Sequence, residues 1–359
     1  MTDRLEGRAT DSIQLRKTGT CGDFLIAADP LAVRIGIVGA GAIVQQMHIP
    51  VLRCLGSASI SWITDADAAR ALKVARANRI PRAGSAADDL ASLPPVDVIL
   101  LAVPWGARHY YYEQVRGLPT RPALYVEKPF ARSSAQHREI VSGFTDWQVA
   151  IGHSRRVGGA IQFARHLTAS GVMGPVRKCE VSFGGLGRIL TRGGYYGDLS
   201  LAGGGILMEM GTHYLDAALE VLDARSMRLE TRRIIDHAGF DVHVEGTLRV
   251  QTASGLDLPL ACRFSYLESL VSECVVSFAH GKMAFGIDSP DSFSITGHNG
   301  QRLPFRIDQS FGPDGMQGMM AVFWQEFLDS VASESAGRAN ACEMTLVSRA
   351  VGLLYGEET

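Results

Sequence analysis

Val33-Arg34-Ile35-Gly36-Ile37-Val38 runs directly into Gly39-Ala40-Gly41-Ala42-Ile43-Val44, and a helical stretch follows to Leu55. An apolar strand that ends in glycines and at once becomes a helix leaves the chain few arrangements. Gly39 permits the tight turn, and Gly41 lets a pyrophosphate approach backbone N–H groups at the positive end of the helix. Val44 occupies the third position of the motif, where a small residue lets helix and sheet pack closest. The stretch from Gly39 to Ile43 is therefore expected to be a dinucleotide-binding turn.

The rhythm continues. Strand Ser59 to Thr64 leads into the alanine-rich helix Ala66 to Asn78. Strand Val96 to Val103, stopped by Pro104, leads into helix Ala107 to Arg116. Strand Ala123 to Val126 precedes a helix around Gln136 to Ser142, and strand Gln148 to Ile151 follows. Near-continuous apolar strands alternating with helices predict a parallel sheet covered on both faces, doubly wound by right-handed crossovers.

After about Gly158 the pattern changes to one helix, a strand from Arg177 to Phe183, a glycine-rich segment, and strand-like runs from Met227 to Phe285. Helices around Val322 to Val331 and Ala341 to Leu354 close this part. The fold class expected is α/β: a Rossmann doubly wound sheet over residues 33–155, then an α+β unit over 156–359 with a mostly antiparallel sheet. The last helix, about 341–355, is expected to pack back on the first unit, and residues 1–32 are an extension without an assigned role.

Composition narrows the partners. A net charge of −2 with 46% hydrophobic and 20% charged residues suits a soluble globular protein and offers no basic surface for nucleic acid or an anionic membrane. The six cysteines form no C-x-x-C pair, which argues against a zinc site or disulfide scaffold and fits a reducing compartment. No apolar run is long enough to span a bilayer, so the expected location is the cytoplasm. His243 and Glu245 alternate on a strand without a third ligand in view, and no metal is expected.

Asp65 stands at the end of the second strand. An acid there accepts both ribose hydroxyls and repels a 2′-phosphate, or else caps the helix that begins at Ala66, alone or with Asp67. No arginine directly follows it, so the expected cofactor is NAD rather than NADP. Further on, Gly203-Gly204-Gly205 opens an apolar helix carrying Glu209 and His213 four residues apart. That spacing puts a carboxylate and an imidazole on one helix face, and imidazole suits proton transfer near neutral pH. His153 follows a strand at the crossover and either lines the pocket or caps its loop. Tyr195 and Tyr196 either lie over a substrate or anchor their loop with partly buried rings. Arg188 and Arg192 are candidates for a phosphate or carboxylate, and His48 is structural or close to the cofactor. Phe323, Trp324 and Phe327 fall at helical spacing and suit a core or a subunit interface.

Ala102-Val103-Pro104-Trp105 with His109, then Glu127-Lys128-Pro129, then Gly203 to Asp216 follow Gly39 and Gly41 in that order. The set resembles the glucose–fructose oxidoreductase/inositol dehydrogenase (Gfo/Idh/MocA) family over about residues 33–355. The resemblance implies an NAD(P)-dependent oxidoreductase that moves hydride between nicotinamide and a hydroxyl-bearing carbon of a sugar, aminosugar or cyclitol. It implies Lys128 beside the nicotinamide and the reacting oxygen, His213 as general base, and Glu209, where Asp is commoner, binding substrate hydroxyls or relaying the proton. It also implies Pro104, Trp105, His109 and Glu127 near the cofactor, Arg156 with His153 and Tyr196 near the substrate, and a cis Lys128–Pro129 bond. Asp216 would act from the next turn as a partner of Glu209 or His213. A homodimer or homotetramer through the open sheet is implied as well. The same machinery serves a keto-sugar or imine reductase, an NAD-recycling glycoside-cleaving enzyme, or a non-catalytic NAD-binding sensor.

Overall fold

A computed structural model describes residues 32–85, 88–186, 194–289, 291–307, 315–333, 340–342 and 344–357. Residues 1–31, Arg188 and Arg192 lie outside the described residues.

The apolar strands β1 (Val33–Val38), β2 (Ala58–Asp65), β3 (Arg82–Ser85), β4 (Val98–Leu101), β5 (Ala123–Val126) and β6 (Val149–Ile151) form one six-stranded sheet. All pairings are parallel and the order is β3-β2-β1-β4-β5-β6, the doubly wound Rossmann arrangement. Every residue of β4 and β5 is buried, as expected of strands covered on both faces by helices. Those helices include α1 (Ile49–Cys54), α2 (Ala68–Ala77), α3 (Arg108–Arg116) and α4 (Ser134–Ser142). Strand β3 escapes sequence reading because Arg-Ala-Gly-Ser has no apolar run; it pairs on the sheet edge with β2 and is only part-buried.

The second sheet has eight strands in the order β14-β13-β12-β11-β7-β10-β9-β8. Its members are β7 (Val176–Gly184), β8 (Ala224–His237), β9 (Phe240–Thr252), β10 (Asp257–Ser265), β11 (Glu273–Phe278), β12 (Gly281–Phe285), β13 (Ser292–Gly297) and β14 (Arg302–Arg306). Only β7 and β10 pair parallel; the other neighbours are antiparallel. Alternating burial along β7 and β11 marks one packed face and one face open to solvent. Strands β13 and β14 lie beyond the runs read from sequence. The latter is exposed throughout and carries Arg302, Pro304 and Arg306, residues that blunt a sheet edge.

Helices α5 (Gly159–Ser170) and α7 (Thr212–Val221) bury against the second sheet, with the short α6 (Leu199–Ala202) between them in sequence. The helix that returns to the parallel sheet is α8 (Met316–Ala332): Met320, Phe323, Trp324 and Phe327 join that core. Trp324 stacks on Tyr125 with ring centroids 4.3 Å apart, so the aromatic trio is core. The final helix, α9 (Thr345–Tyr355), gives Val347, Ala350, Val351 and Leu354 to the second core. Its Ser348 still reaches α4 through His137, so α9 wedges between the two units. Among the described residues no helix is long and apolar enough to cross a membrane.

Candidate active site

The two halves of the parallel sheet diverge between β1 and β4, and ligands of doubly wound sheets sit outside the carboxyl ends of strands at that point. Gly39 has φ 104° there and its N–H donates to the Thr64 carbonyl at 2.7 Å. A Cβ on Gly39 would stand 2.4 Å from the Ala102 carbonyl oxygen, so the fold itself demands this glycine. Gly41 differs: a Cβ there would meet nothing within 4 Å. Among the described residues no neighbour explains it, which fits a group arriving from outside. Ala42 and Ile43 stand exposed beside that space. The helix then opens into a π turn over Val44–His48, with the larger Val44 fully buried against the sheet. Gly41→Ala is expected to melt like the parent yet bind NAD roughly tenfold or more weakly, since only the approach to the helix N–H groups is lost. Unchanged affinity by fluorescence titration would contradict this.

Asp65 sits at the tip of β2 with both oxygens engaged. Oδ2 accepts from the Ala40 N–H at 2.6 Å, and Oδ1 from the Asp67 N–H at 2.8 Å and the Arg70 guanidinium at 2.5 Å. Burial pushes this carboxyl upward, but those donors together prevail and hold it below the usual range. Capping of α2 falls to Asp67, which accepts from the Arg70 N–H at 3.1 Å. Arg70 is missed by a search for arginine directly after Asp65; one turn of helix brings it back.

Glu127-Lys128-Pro129 leaves β5 beside this edge, and Lys128–Pro129 is cis. The Glu127 carboxylate turns inward onto His48 Nε2 at 2.9 Å. The Trp324 indole N–H donates to His48 Nδ1 at 3.0 Å, so the imidazole proton lies on Nε2 and points at Glu127. Burial raises Glu127, yet His48 and the charges of Lys128 and Arg108 hold it below its ordinary value. Gly152 allows the approach, since a Cβ would lie 2.9 Å from Glu127 Oε1. Its carboxylate is thus committed to the scaffold.

His109 is a correction. It points into solvent 3.9 Å from Glu113, and the inward residue is its neighbour Arg108. Successive helical residues are about 100° apart, so only one of the two can face the sheet. The buried Arg108 guanidinium donates to the carbonyls of Val103 at 3.1 Å, Lys128 at 3.5 Å, and Pro129. It ties the loop after β4 to the lysine loop after β5. Its signal was present in the spacing of Arg108, Tyr111, Tyr112 and Val115, all buried on one helix face. Pro104 and Trp105 form the turn after β4, and the Trp105 ring is where a Cβ on Gly203 would fall, 2.7 Å away.

The three glycines have different reasons. Gly203 has φ 76°; Gly204 and Gly205 are required by close approach, to the Tyr355 hydroxyl and the Asp241 backbone. Asp241, on β9, accepts from the N–H groups of Gly205 at 2.5 Å and Leu207 at 2.8 Å, capping the helix from far away in sequence. A π turn over Leu207–Gly211 contains Glu209 and leads into α7. The Lys128 ammonium donates to the Glu209 carbonyl at 2.9 Å, and the Tyr266 hydroxyl donates to the Glu209 carboxylate. An open cleft is lined by Lys128, Glu209, Tyr195, Tyr196, Phe240 and Tyr266. Tyr195 and Tyr196 stack with centroids 4.2 Å apart. Tyr266 and Phe240 lie far along the chain in strand-flanking positions, which no local motif marks.

His213 lies deeper than Glu209, edge-on to His153 with ring centroids 5.7 Å apart. Both are buried, and neither Nδ1 has a hydrogen-bond partner among the described residues. The His153 side chain makes no capping bond. Burial pushes His153 down to about 4; burial, then Arg155, Lys128 and His153, hold His213 well below its usual value. Both imidazoles are neutral at pH 7 and able to accept a proton. Arg156 and Asp216 depart from expectation: they pair with each other at 2.5 Å, and Arg156 also meets Glu220 at 3.3 Å. The guanidinium, its side chain only 10% exposed, is committed to α7 rather than to a substrate.

Buried neutral histidines also set the acid limit. His137, bonded to Ser348 at 2.8 Å and the Ala341 carbonyl at 2.7 Å, is pushed down by burial to about 4, as His153 is. Their folded values lie below the unfolded one, so the stability they contribute is complete above about pH 6.5 and is lost as pH falls through 4. Near pH 5 each should add about one proton to the uptake on unfolding. Urea melts from pH 7.5 to 4 should reveal that slope, reduced by about one proton in His137→Gln; a flat profile would count against it.

The model of an oxidoreductase family with an NAD-binding Rossmann fold matches residues 33–151, and the GFO/IDH/MocA C-terminal domain matches residues 161–284. A candidate UDP-kanosamine synthase oxidoreductase subunit of Amycolatopsis mediterranei is 26% identical over 52% of this chain and 51% of its own length, so the match spans about half of each. The fold is shared with aldose–aldose oxidoreductase from Caulobacter crescentus, at 16% identity and TM-score 0.76 over 90% of this chain and 97% of that one. A 3-ketoreductase from Actinomadura kijaniata, solved with NADP and TDP-benzene, gives 14% identity and TM-score 0.76 over 90% and 97%. Levoglucosan dehydrogenase with NADH and levoglucosan gives 14% and 0.74 over 90% and 96%. With both family domains matched in order, on a parallel sheet followed by a mostly antiparallel one, the chain belongs to the GFO/IDH/MocA family of NAD(P)-binding oxidoreductases.

Proposed function

We propose that the protein is a dehydrogenase of a sugar, aminosugar or cyclitol hydroxyl, with NAD as the preferred cofactor. The observation that carries this reading is the 2.9 Å bond from Lys128, on the Rossmann edge, to Glu209, on the helix of the second unit. It sets a cation and a carboxylate in one cleft beside Gly204 and Gly205, with the neutral His213 imidazole buried further along the same helix. Bound nicotinamide supplies the hydride acceptor, or the donor in reverse. His213 takes the hydroxyl proton, its neutral ring being the competent form. Lys128 stabilises the developing alkoxide, and Glu209, steadied by Tyr266, holds a neighbouring hydroxyl. The ring-lined wall of Tyr195, Tyr196 and Phe240 suits the apolar face of a sugar.

Asp65 supports NAD over NADP, because a carboxylate beside a 2′-phosphate repels it, although Arg70 on its outer oxygen softens that preference. Residues 33–155 serve as the cofactor unit and 156–359 as the substrate unit, with α8 lent back to the first. The open face of the large sheet is the surface for a homo-oligomer. Sugar-type substrates are supported by relatives named for aldoses, levoglucosan and a UDP-sugar synthase.

The test is to look for cofactor retained through purification, then to follow reduced-nicotinamide absorbance over a panel of sugars and cyclitols with NAD⁺ and NADP⁺. Substrate-dependent NADH formation is the expected result. Turnover only of keto-sugars with NADH would reverse the direction, and bound cofactor without turnover of either set would overturn the reading.

A further inference from the structure

Tyr355, the last residue of α9, belongs to no catalytic motif, yet it touches both segments that meet at Lys128 and Glu209. Its hydroxyl donates to Asp241 Oδ1 at 2.8 Å, the same oxygen that accepts the Gly205 N–H at 2.5 Å. Gly204 has no side chain because a Cβ there would lie 2.3 Å from that hydroxyl. On its other side the Tyr355 ring carries the Arg132 guanidinium, 4.6 Å from its centroid. Arg132 is held further by Glu357 at 2.7 Å and stands four residues after Lys128, on the same loop. One side chain therefore bridges the loop that carries Lys128 and the cap of the helix that carries Glu209. Packed side chains and hydrogen bonds of this kind transmit small displacements because interiors have no slack.

We propose that Tyr355 is a positioning residue that keeps the Lys128 loop and the start of the Glu209 helix in register, so that the ammonium meets the Glu209 carbonyl. The hydroxyl fixes Asp241 under Gly205 and Leu207; the ring fixes Arg132. The functional weight of the register rests on the reading of Lys128 and Glu209 above, but the coupling is measurable without turnover.

Hydrogen–deuterium exchange on the full chain is the test, read on peptides covering 127–133 and 203–216 in Tyr355→Phe and Arg132→Met. Tyr355→Phe keeps the ring and removes only the hydroxyl. It should speed exchange at the Gly205 and Leu207 amides about fivefold, as expected for one hydrogen bond lost from a cap. The decisive variant is Arg132→Met, which touches neither amide: coupling through Tyr355 requires faster exchange at both, with the melting temperature within about 2 °C of the parent. Acceleration confined to 127–133 in that variant, or an unchanged 203–216 segment in Tyr355→Phe, would overturn the proposal. With an active preparation, Tyr355→Phe should lower kcat about fivefold at constant KM for NAD; an unchanged kcat would leave Tyr355 a cap partner only and overturn its positioning role. Failure of the wild type to turn over any polyol would overturn the dehydrogenase reading and leave the exchange result standing.

Discussion

Lys128→Ala is expected to lower kcat by about two orders of magnitude or more while NAD binding stays within a fewfold. The side chain reaches from the end of β5 to the Glu209 carbonyl at 2.9 Å, and the proposed mechanism puts its ammonium beside the developing alkoxide. Alanine removes that charge and leaves the loop in place, because Arg108 grips the backbone carbonyls of Lys128 and Pro129, not the side chain. Arginine should not rescue it, since a planar guanidinium cannot occupy the position of a compact ammonium. His213→Ala should fall by a similar factor, again with cofactor binding kept. Steady-state rates beside a fluorescence titration of NAD decide both; near-full activity in either variant would remove that residue from the proposed chemistry.

Gly205→Ala is expected to destabilise the protein by about 3 kcal/mol, among the largest effects of any single methyl group here. The added Cβ would stand 2.0 Å from the Asp241 carbonyl oxygen, 2.8 Å from its carbon and 2.9 Å from its nitrogen. All are backbone atoms, so no rotamer relieves the overlap. Either β9 or the start of the Glu209 helix must move, and moving the helix breaks the cap on Asp241 and displaces Glu209. Gly197→Ala is the control, for a Cβ there would meet nothing within 4 Å among the described residues. Denaturant midpoints should fall sharply for Gly205→Ala and hold for Gly197→Ala; equal midpoints would refute the close-approach argument.

Some of the site was legible because the relevant information is local. Gly39 answers to a tight turn, and Glu209 and His213 to one helix, so short windows of sequence suffice to single them out; Lys128 was singled out only through the family resemblance. His109 misled because a motif position does not say which side of a helix faces inward; the buried spacing of Arg108, Tyr111, Tyr112 and Val115 does. Arg156 misled for another reason. A cation near a strand end reads the same whether it meets substrate or, as here, Asp216 and Glu220 on a helix some sixty residues on.

Periodicity and local turn chemistry were enough to determine a parallel sheet wound with helices, a glycine turn for a dinucleotide, and a second, mostly antiparallel unit. These are properties of consecutive residues, whose spacing sets which face is apolar and where φ must be unusual. Tertiary structure alone decided the rest: that Arg108 holds the lysine loop, that Asp241 and Tyr355 seat the Glu209 helix, and that Tyr266 meets Glu209. It also decided that α8 joins the first core. Each of these is a contact between residues far apart in the chain, where a polar group finds its partner only after two elements have packed. No spacing along the sequence encodes that meeting.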